Sequence, residues 1–283
     1  MGYYISMLII LISLLFASCD NNQSDKWLKQ KLEGDWIIPL DDHSSGFISF
    51  KDSLTIFFYE SDCQPYYLNK DTIVIKDPGY QGYLKLPFLK VTDKYLWLKD
   101  SRLGESRPCP STYNFYNKQL LLENVEVRFT DRGFHDYLSS TLYISDTKES
   151  YLKISYNKKV NFGIGKFFDK GEYFSKLNEK EFNSIQNKFR TIDVSELKNY
   201  YHSGFGSICG EPALIQILIN YCYTYDDKIK TINIFSRGFE GMPIRLGILI
   251  KYLHQIYHFV KYEPTNNTHN FEIESQQKQF NRY

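Results

Sequence analysis

The sequence predicts a mainly β protein with some helix: a small antiparallel β-barrel followed by an α+β domain of two hairpins and two helices. Three observations carry this. Up to about residue 117, short alternating or apolar runs recur between turn residues with no helical period among them. Beyond residue 118, strand-like runs give way twice to a helical period. Aromatic residues make up 17% of the chain, mostly its 24 Tyr and 21 Phe, and they suit strands and half-buried surfaces.

The first element is "LIILISLLFASCDNNQSD", residues 8–25. The apolar run from Met7 to Ala17 is too short for ~30 Å of hydrocarbon, which needs about 20 residues, but it fits the core of a secretory signal peptide. Small residues then lead into Cys19. "FASC" resembles a bacterial lipobox, although Phe16 replaces the usual Leu and the leader "MGYYISM" has no Lys or Arg. The resemblance implies removal of residues 1–18 as a signal peptide. It also implies acylation of Cys19 by diacylglycerol and palmitate-type chains, with residues 19–26 as a solvated tether. Two or more acyl chains hold a protein stably on a membrane. The expected location is therefore the cell envelope, at the outer membrane, with the lipid bilayer as partner through Cys19.

Next, "SDKWLKQKLEG" reads as a short helix with Ser24 as N-cap and Gly34 as its stop. The strand candidates follow: "DWIIPL", "GFISF", "LTIFFYE", "PYYLN", "TIVIK", "GYLKLPFLKV", "YLWLK" and "TYNFY". "KLEGDWII" and the hairpins after it resemble the small lipocalin-like domains of Gram-negative lipoproteins. Leu32, Gly34 and Trp36 match their Leu-x-Gly-x-Trp motif, and Asp93, Leu96 and Leu98 match their closing hairpin. The resemblance implies an up-and-down barrel over residues 27–117. A barrel of about eight strands is filled by side chains or holds one small molecule. The many large aromatics favour filling.

The second domain is expected over residues 118–262. "KQLLLENVEVRFTDRGFHDYLSSTLYIS" reads as strand, and "YLKISYNKKVNFGIG" as a hairpin turning at Asn157 and Lys158. Leu177, Phe182, Ile185 and Phe189 share a helical face behind the N-cap candidate Asn178. "ALIQILINYCYTYDDKIKTINIF" returns to strand with a turn at Asp226 and Asp227, and Ile215, Ile217, Ile219, Tyr221 and Tyr223 fall on one face. Pro243 opens a last helix with the stripe Leu246, Leu249, Ile250, Leu253, Ile256, Tyr257 and Val260. This order is similar to a domain of unknown function common in exported bacterial lipoproteins, through Gly171 and Tyr173 and through Pro243 and Leu246. That family's Cys-Phe-Gly-x-Cys-Pro segment is replaced here by "GFHDYLS", and it has no activity to lend. Residues 263–283 read as a polar tail that frays.

Cys63, Cys109, Cys209 and Cys222 remain after export to an oxidising compartment, and four cysteines allow three connectivities. Pairing inside one core would join Cys63 to Cys109 and Cys209 to Cys222; buried thiols are the alternative. No CxxC spacing marks a zinc site, and no metal or other cofactor is expected. The loop "HSGFGSICG" holds His202, Ser203 and Cys209, but a cysteine nucleophile needs a base and a third group to orient it, which proximity in sequence does not supply. "GFGSICG" precedes a strand, so it lacks the helix N-terminus that cradles phosphate. His135 stands with Asp131 and Asp136 in a turn between strands, a cheaper explanation than acid–base chemistry. His254 and His258, four apart without the Glu of HExxH, read as solvated beside Lys251.

The 34 basic and 33 acidic residues nearly cancel, so no nucleic-acid footprint follows. The expectation is a non-enzymatic binding or structural module for a protein, glycan or small ligand. The alternatives are an immunity or inhibitor-type partner, or a hydrolase using the Cys209 loop.

Overall fold

The computed structural model describes residues 26–39, 45–57, 63–77, 82–99, 106–132, 137–158, 164, 167–202, 214–239 and 241–274. The chain forms two compact units: Met1–Thr55 with Gln64–Ser111, and Ile56–Cys63 with Thr112–Tyr283. Among the described residues no helix is long and apolar enough to cross a membrane.

The first unit opens with helix α1, residues 26–32. Eight strands follow: β1 (Gly34–Pro39), β2 (Ser45–Lys51), β3 (Leu54–Phe57), β4 (Gln64–Asn69), β5 (Thr72–Asp77), β6 (Gly82–Val91), β7 (Tyr95–Lys99) and β8 (Ser106–Pro110). They form one sheet in chain order, and an antiparallel bridge from Trp36 to Ser111 brings the first and last strands together, so the sheet is a nearly closed antiparallel barrel. The turns are short enough that Asp52 and Lys70 take left-handed backbone, with φ of 55° at each. Period 2 then sorts the side chains. Trp36, Ile48, Phe50, Tyr66, Ile73, Ile75, Phe88, Leu96, Leu98 and Cys109 are buried on the inward side. Phe50 meets Tyr66 edge to face at 5.0 Å, and the Trp36 indole donates to the Leu32 carbonyl at 2.8 Å, tying α1 to the barrel.

The second unit contains β9 (Leu120–Arg132), β10 (Tyr137–Ser145), β11 (Glu149–Tyr156), β12 (Gly171–Lys176), α2 (Glu179–Arg190), β13 (Tyr200–His202), β14 (Leu214–Tyr223), β15 (Asp226–Arg237), α3 (Ile244–His254) and β16 (Glu263–Pro264). The sheet order is β13-β15-β14-β9-β10-β11-β12-β16. All its pairings are antiparallel except β13 with β15. One face carries Val125, Val127, Phe129, Leu142, Leu152, Ile217 and Ile234, all buried, and α2 and α3 pack on that side of β9. Asn178 caps α2 as expected, in a full capping box with Glu181. Gln186 then bonds both the N–H of Leu122 and the carbonyl of Leu120, stitching α2 to β9 beside the register shift at Asn220 and Tyr221.

Several local expectations need correction. The β14–β15 turn is Thr224 and Tyr225, because Tyr223 pairs directly with Asp226. β11 forms a hairpin with β10 through a turn at Asp146 and Thr147 and pairs on its other side with β12, Ile154 opposite Gly171; residues 159–163, which would follow the expected turn at Asn157 and Lys158, lie outside the described residues. Pro243 is the N-cap of α3 and not its first residue. The C-terminal segment does not fray over residues 263–274: β16 pairs with β12, and Phe271 and Ile273 are buried.

Candidate functional site

The alternation that buries the barrel interior fixes what the outer wall presents. In β7, Leu96 and Leu98 point inward, so Tyr95, Trp97 and Lys99 point outward. In β4, Tyr66 is inward and Tyr67 outward. Tyr67 pairs with Val74 on β5, and Val74 with Lys85 on β6; Tyr83 is on the same outer side of β6. Tyr67 and Tyr83 are 49% and 58% exposed and meet edge to face at 6.3 Å. Between their strands Val74 is buried. Further round, the Tyr95 and Trp97 rings are 6.2 Å apart, and the Lys90 ammonium stands 5.0 Å from the Trp97 ring. A register shift between Phe88 and Lys90 puts Leu89 out into solvent at 53% exposure. The outer surface of β4 to β7 is thus a wall of aromatic rings interleaved with lysines. Such groups bind by offering large apolar area with polar edges and by cation–π contact.

Sequence reasoning spent the aromatics on filling the barrel and missed this wall. The signal was present in "YLWLK" and "PYYLN". When leucines take one phase of a strand, the aromatics on the other phase must face out.

The cysteines do not form the expected staple. Cys63, Cys109 and Cys222 are buried thiols. Cys63 and Cys109 fall in different compact units. The Cys63 thiol donates to the Gln255 side-chain carbonyl at 3.3 Å. Cys109 sits on β8 opposite Leu96, and burial pushes its thiol up to about 12. Cys222 donates to the Glu123 carboxylate at 3.1 Å; burial and that neighbour push its thiol up to about 11. Thiols raised this far are poor nucleophiles at neutral pH. Cys19, Cys209 and His135 lie outside the described residues, as does the side chain of His202, whose backbone ends β13 opposite Arg237. The side chain of Asp131 and the whole of Asp136 also lie outside them.

His254 and His258 are not a solvated pair. α3 is buried on all sides from Leu246 to His254, including Lys251. The His254 ring packs on Phe129 at 4.5 Å, and the Lys251 ammonium lies 5.0 Å from the Phe239 ring. His258 falls in a separate 3-10 turn, Ile256–His258, with its ring against Tyr257 and Phe167. The i, i+4 geometry that chelation needs is therefore broken. Among the described residues, no three His, Cys, Asp or Glu side chains converge to hold a metal ion.

One buried acid stands out on the sheet face opposite the helices. Leu218, Glu126, Tyr143, Tyr151 and Phe174 form a register row across β14, β9, β10, β11 and β12. Glu126 is only 2% exposed. Its carboxylate accepts the backbone N–H groups of Glu272 and Ile273 at 2.9 and 2.8 Å. Burial nevertheless pushes it up to about 7. Beside it, the His269 ring stacks on Tyr151 at 4.6 Å, and burial lowers its basicity. Lys153 pairs with Glu274 at 2.7 Å. These contacts clamp residues 263–274 to the sheet, so Glu126 has a structural task.

No family model, no curated protein and no solved structure matches this chain.

Proposed function

We propose that the protein is an exported, lipid-anchored binding module, non-enzymatic, which holds a protein or glycan partner against the outer wall of its barrel. The carrying observation is the exposed run of Tyr67, Tyr83 and Tyr95 beside the half-buried Trp97, with Lys90 over its ring. Rings in this setting stack on sugar faces or fill shallow pockets of a protein partner, and the lysines orient acidic groups. The signal-peptide core and "FASC" support the anchor, and the lipocalin-like motif residues Leu32, Gly34 and Trp36 support the barrel's kinship. The barrel interior favours a surface role over a ligand cavity, because large side chains occupy its inward positions.

The test is capture from detergent-solubilised envelopes by the mature protein, beside a Tyr83→Ala, Trp97→Ala double variant. A protein or glycan retained by the first and lost by the second, with unchanged circular dichroism, supports the reading. Equal retention by both would refute the wall as the binding surface.

A further inference from the structure

A second surface of the first unit faces a different partner. In the up-and-down barrel, the start of β1, the β2–β3 turn at Asp52 and Ser53, the β4–β5 turn at Lys70 and Asp71, and the β6–β7 turn at residues 92–94 all fall at one end. Helix α1 is fastened to that same end. The Lys31 ammonium bonds Asp93 at 2.5 Å, the Lys29 ammonium lies 6.0 Å from the Tyr66 ring, and Leu32 is fully buried. These contacts fix which side of α1 is left over. Leu28 and Leu32, four apart, turn toward the barrel, while Lys26, Trp27 and Gln30 face outward.

Trp27 is the feature that needs a reason. It is 56% exposed, although indole is among the largest apolar side chains. Exposed Trp beside Lys is the pairing found at membrane–water interfaces, where the ring sits at headgroup level and the ammonium meets lipid phosphate. Residues 26–32 carry three lysines and no acid. Acids stand at the same end too: Asp93 is paired with Lys31 and Asp71 with Lys99, and Glu33 and Asp52 lie near Tyr66. The tether supplies the geometry. Cys19 is seven residues before Lys26, and seven residues of extended chain span at most about 25 Å. An acylated Cys19 therefore holds this end of the barrel within that distance of the bilayer.

We infer that α1 docks on an anionic phospholipid surface, with Trp27 inserted at headgroup level and Lys26 against lipid phosphate, so that the barrel stands end-on to the membrane. The inference rests on acylation of Cys19, part of the function proposed above. Anchoring by the acyl chains alone would leave the barrel to swing on its tether.

The experiment uses the full-length protein purified from cells fed labelled palmitate. It is reconstituted into vesicles of phosphatidylcholine and phosphatidylglycerol, 3:1, with or without bromine on the acyl chains near the headgroup. The emission of Trp27 is the difference between the wild type and Trp27→Phe; this removes the contributions of buried Trp36 and of Trp97. Palmitate incorporation, together with bromine quenching of the Trp27 emission and its shift to shorter wavelength, is the expected result. Palmitate incorporation with an unquenched Trp27 emission overturns the docking and leaves the anchor standing. Absence of palmitate overturns the anchor and the docking with it.

Discussion

The two units solve the same problem, a β-sheet that must cover its apolar face, in opposite ways. In the barrel every strand hydrogen-bonds to its neighbours in sequence, and the sheet covers itself by curling until Trp36 reaches Ser111. In the second unit β9 pairs with β14, and Val127 meets Ile217 across a separation of ninety residues. That sheet does not close. Helices α2 and α3 cover one face, and the C-terminal segment clamps the other. The comparison shows why the barrel leaves its aromatics outside. Closure fills the interior from one phase of each strand; the other phase is buried at Asp35, Phe47, Ser49 and Val74 but stays exposed at Tyr67, Tyr83 and Tyr95.

If the units are separate cores, core truncations should act on separate transitions. Trp36→Ala and Phe189→Ala should each cost about 3–5 kcal/mol, because each removes a large, fully packed side chain. In urea unfolding followed by far-UV circular dichroism, each variant should shift one transition and leave the other in place. One common transition displaced by both would show a single cooperative core.

Glu126 sharpens the contrast, since the barrel has no such clamp among its described residues. Its carboxyl sits near 7 when folded and at an ordinary 4.5 when unfolded, so the native state binds the extra proton between those values. Its contribution is complete below about pH 4.5 and is lost as pH rises through about 7. The expected loss is on the order of 2 kcal/mol in the second unit. His269 acts oppositely: its lowered basicity means that stability is lost as pH falls. Glu272, Glu274, Lys153, Arg128 and Tyr143 surround the same site, so the informative quantity is the wild type minus Glu126→Gln. The protection of amides 269–274, after division by their intrinsic base-catalysed exchange rates, should fall between pH 5 and pH 8 in the wild type, and this step should flatten in the variant. An identical pH profile in both would remove Glu126 from the clamp.

A smaller effect is expected at the cap of α2. Asn178→Ala removes the acceptor of the Glu181 N–H and should lower the stability of the second unit alone by about 1 kcal/mol. The smallest expected effect is none. Reductant should leave both transitions unchanged. Alkylation after unfolding without reductant should label Cys63, Cys109 and Cys222, because all three are thiols. A peptide joining Cys63 to Cys109 would overturn that arrangement.

By itself the sequence determined whatever depends on neighbours in the chain. The first seven strand runs of the barrel, the tight turns between them, the inward phase set by Trp36, Leu96 and Leu98, and the capping box at Asn178 all follow from spacings of a few residues; the eighth strand does not, since it falls on "SRPCP" and not on "TYNFY", where Thr112–Asn114 forms a 3-10 turn. At that range the period of apolar side chains and the chemistry of turns and caps are decisive. Tertiary structure alone decided what each face meets. Spacing placed His254 beside Lys251 off the apolar stripe of α3, but nothing local revealed that this flank is also enclosed, against Phe129 and Phe239. Nothing local revealed that the polar stretch from Glu263 to Glu274 holds a buried carboxylate, or that Cys63 belongs with Gln255 and not with Cys109. A period states which residues share a side. The partner that covers that side is set by the tertiary fold, from Phe239 twelve positions before Lys251 to Phe129 more than a hundred before His254, and only the folded chain selects it.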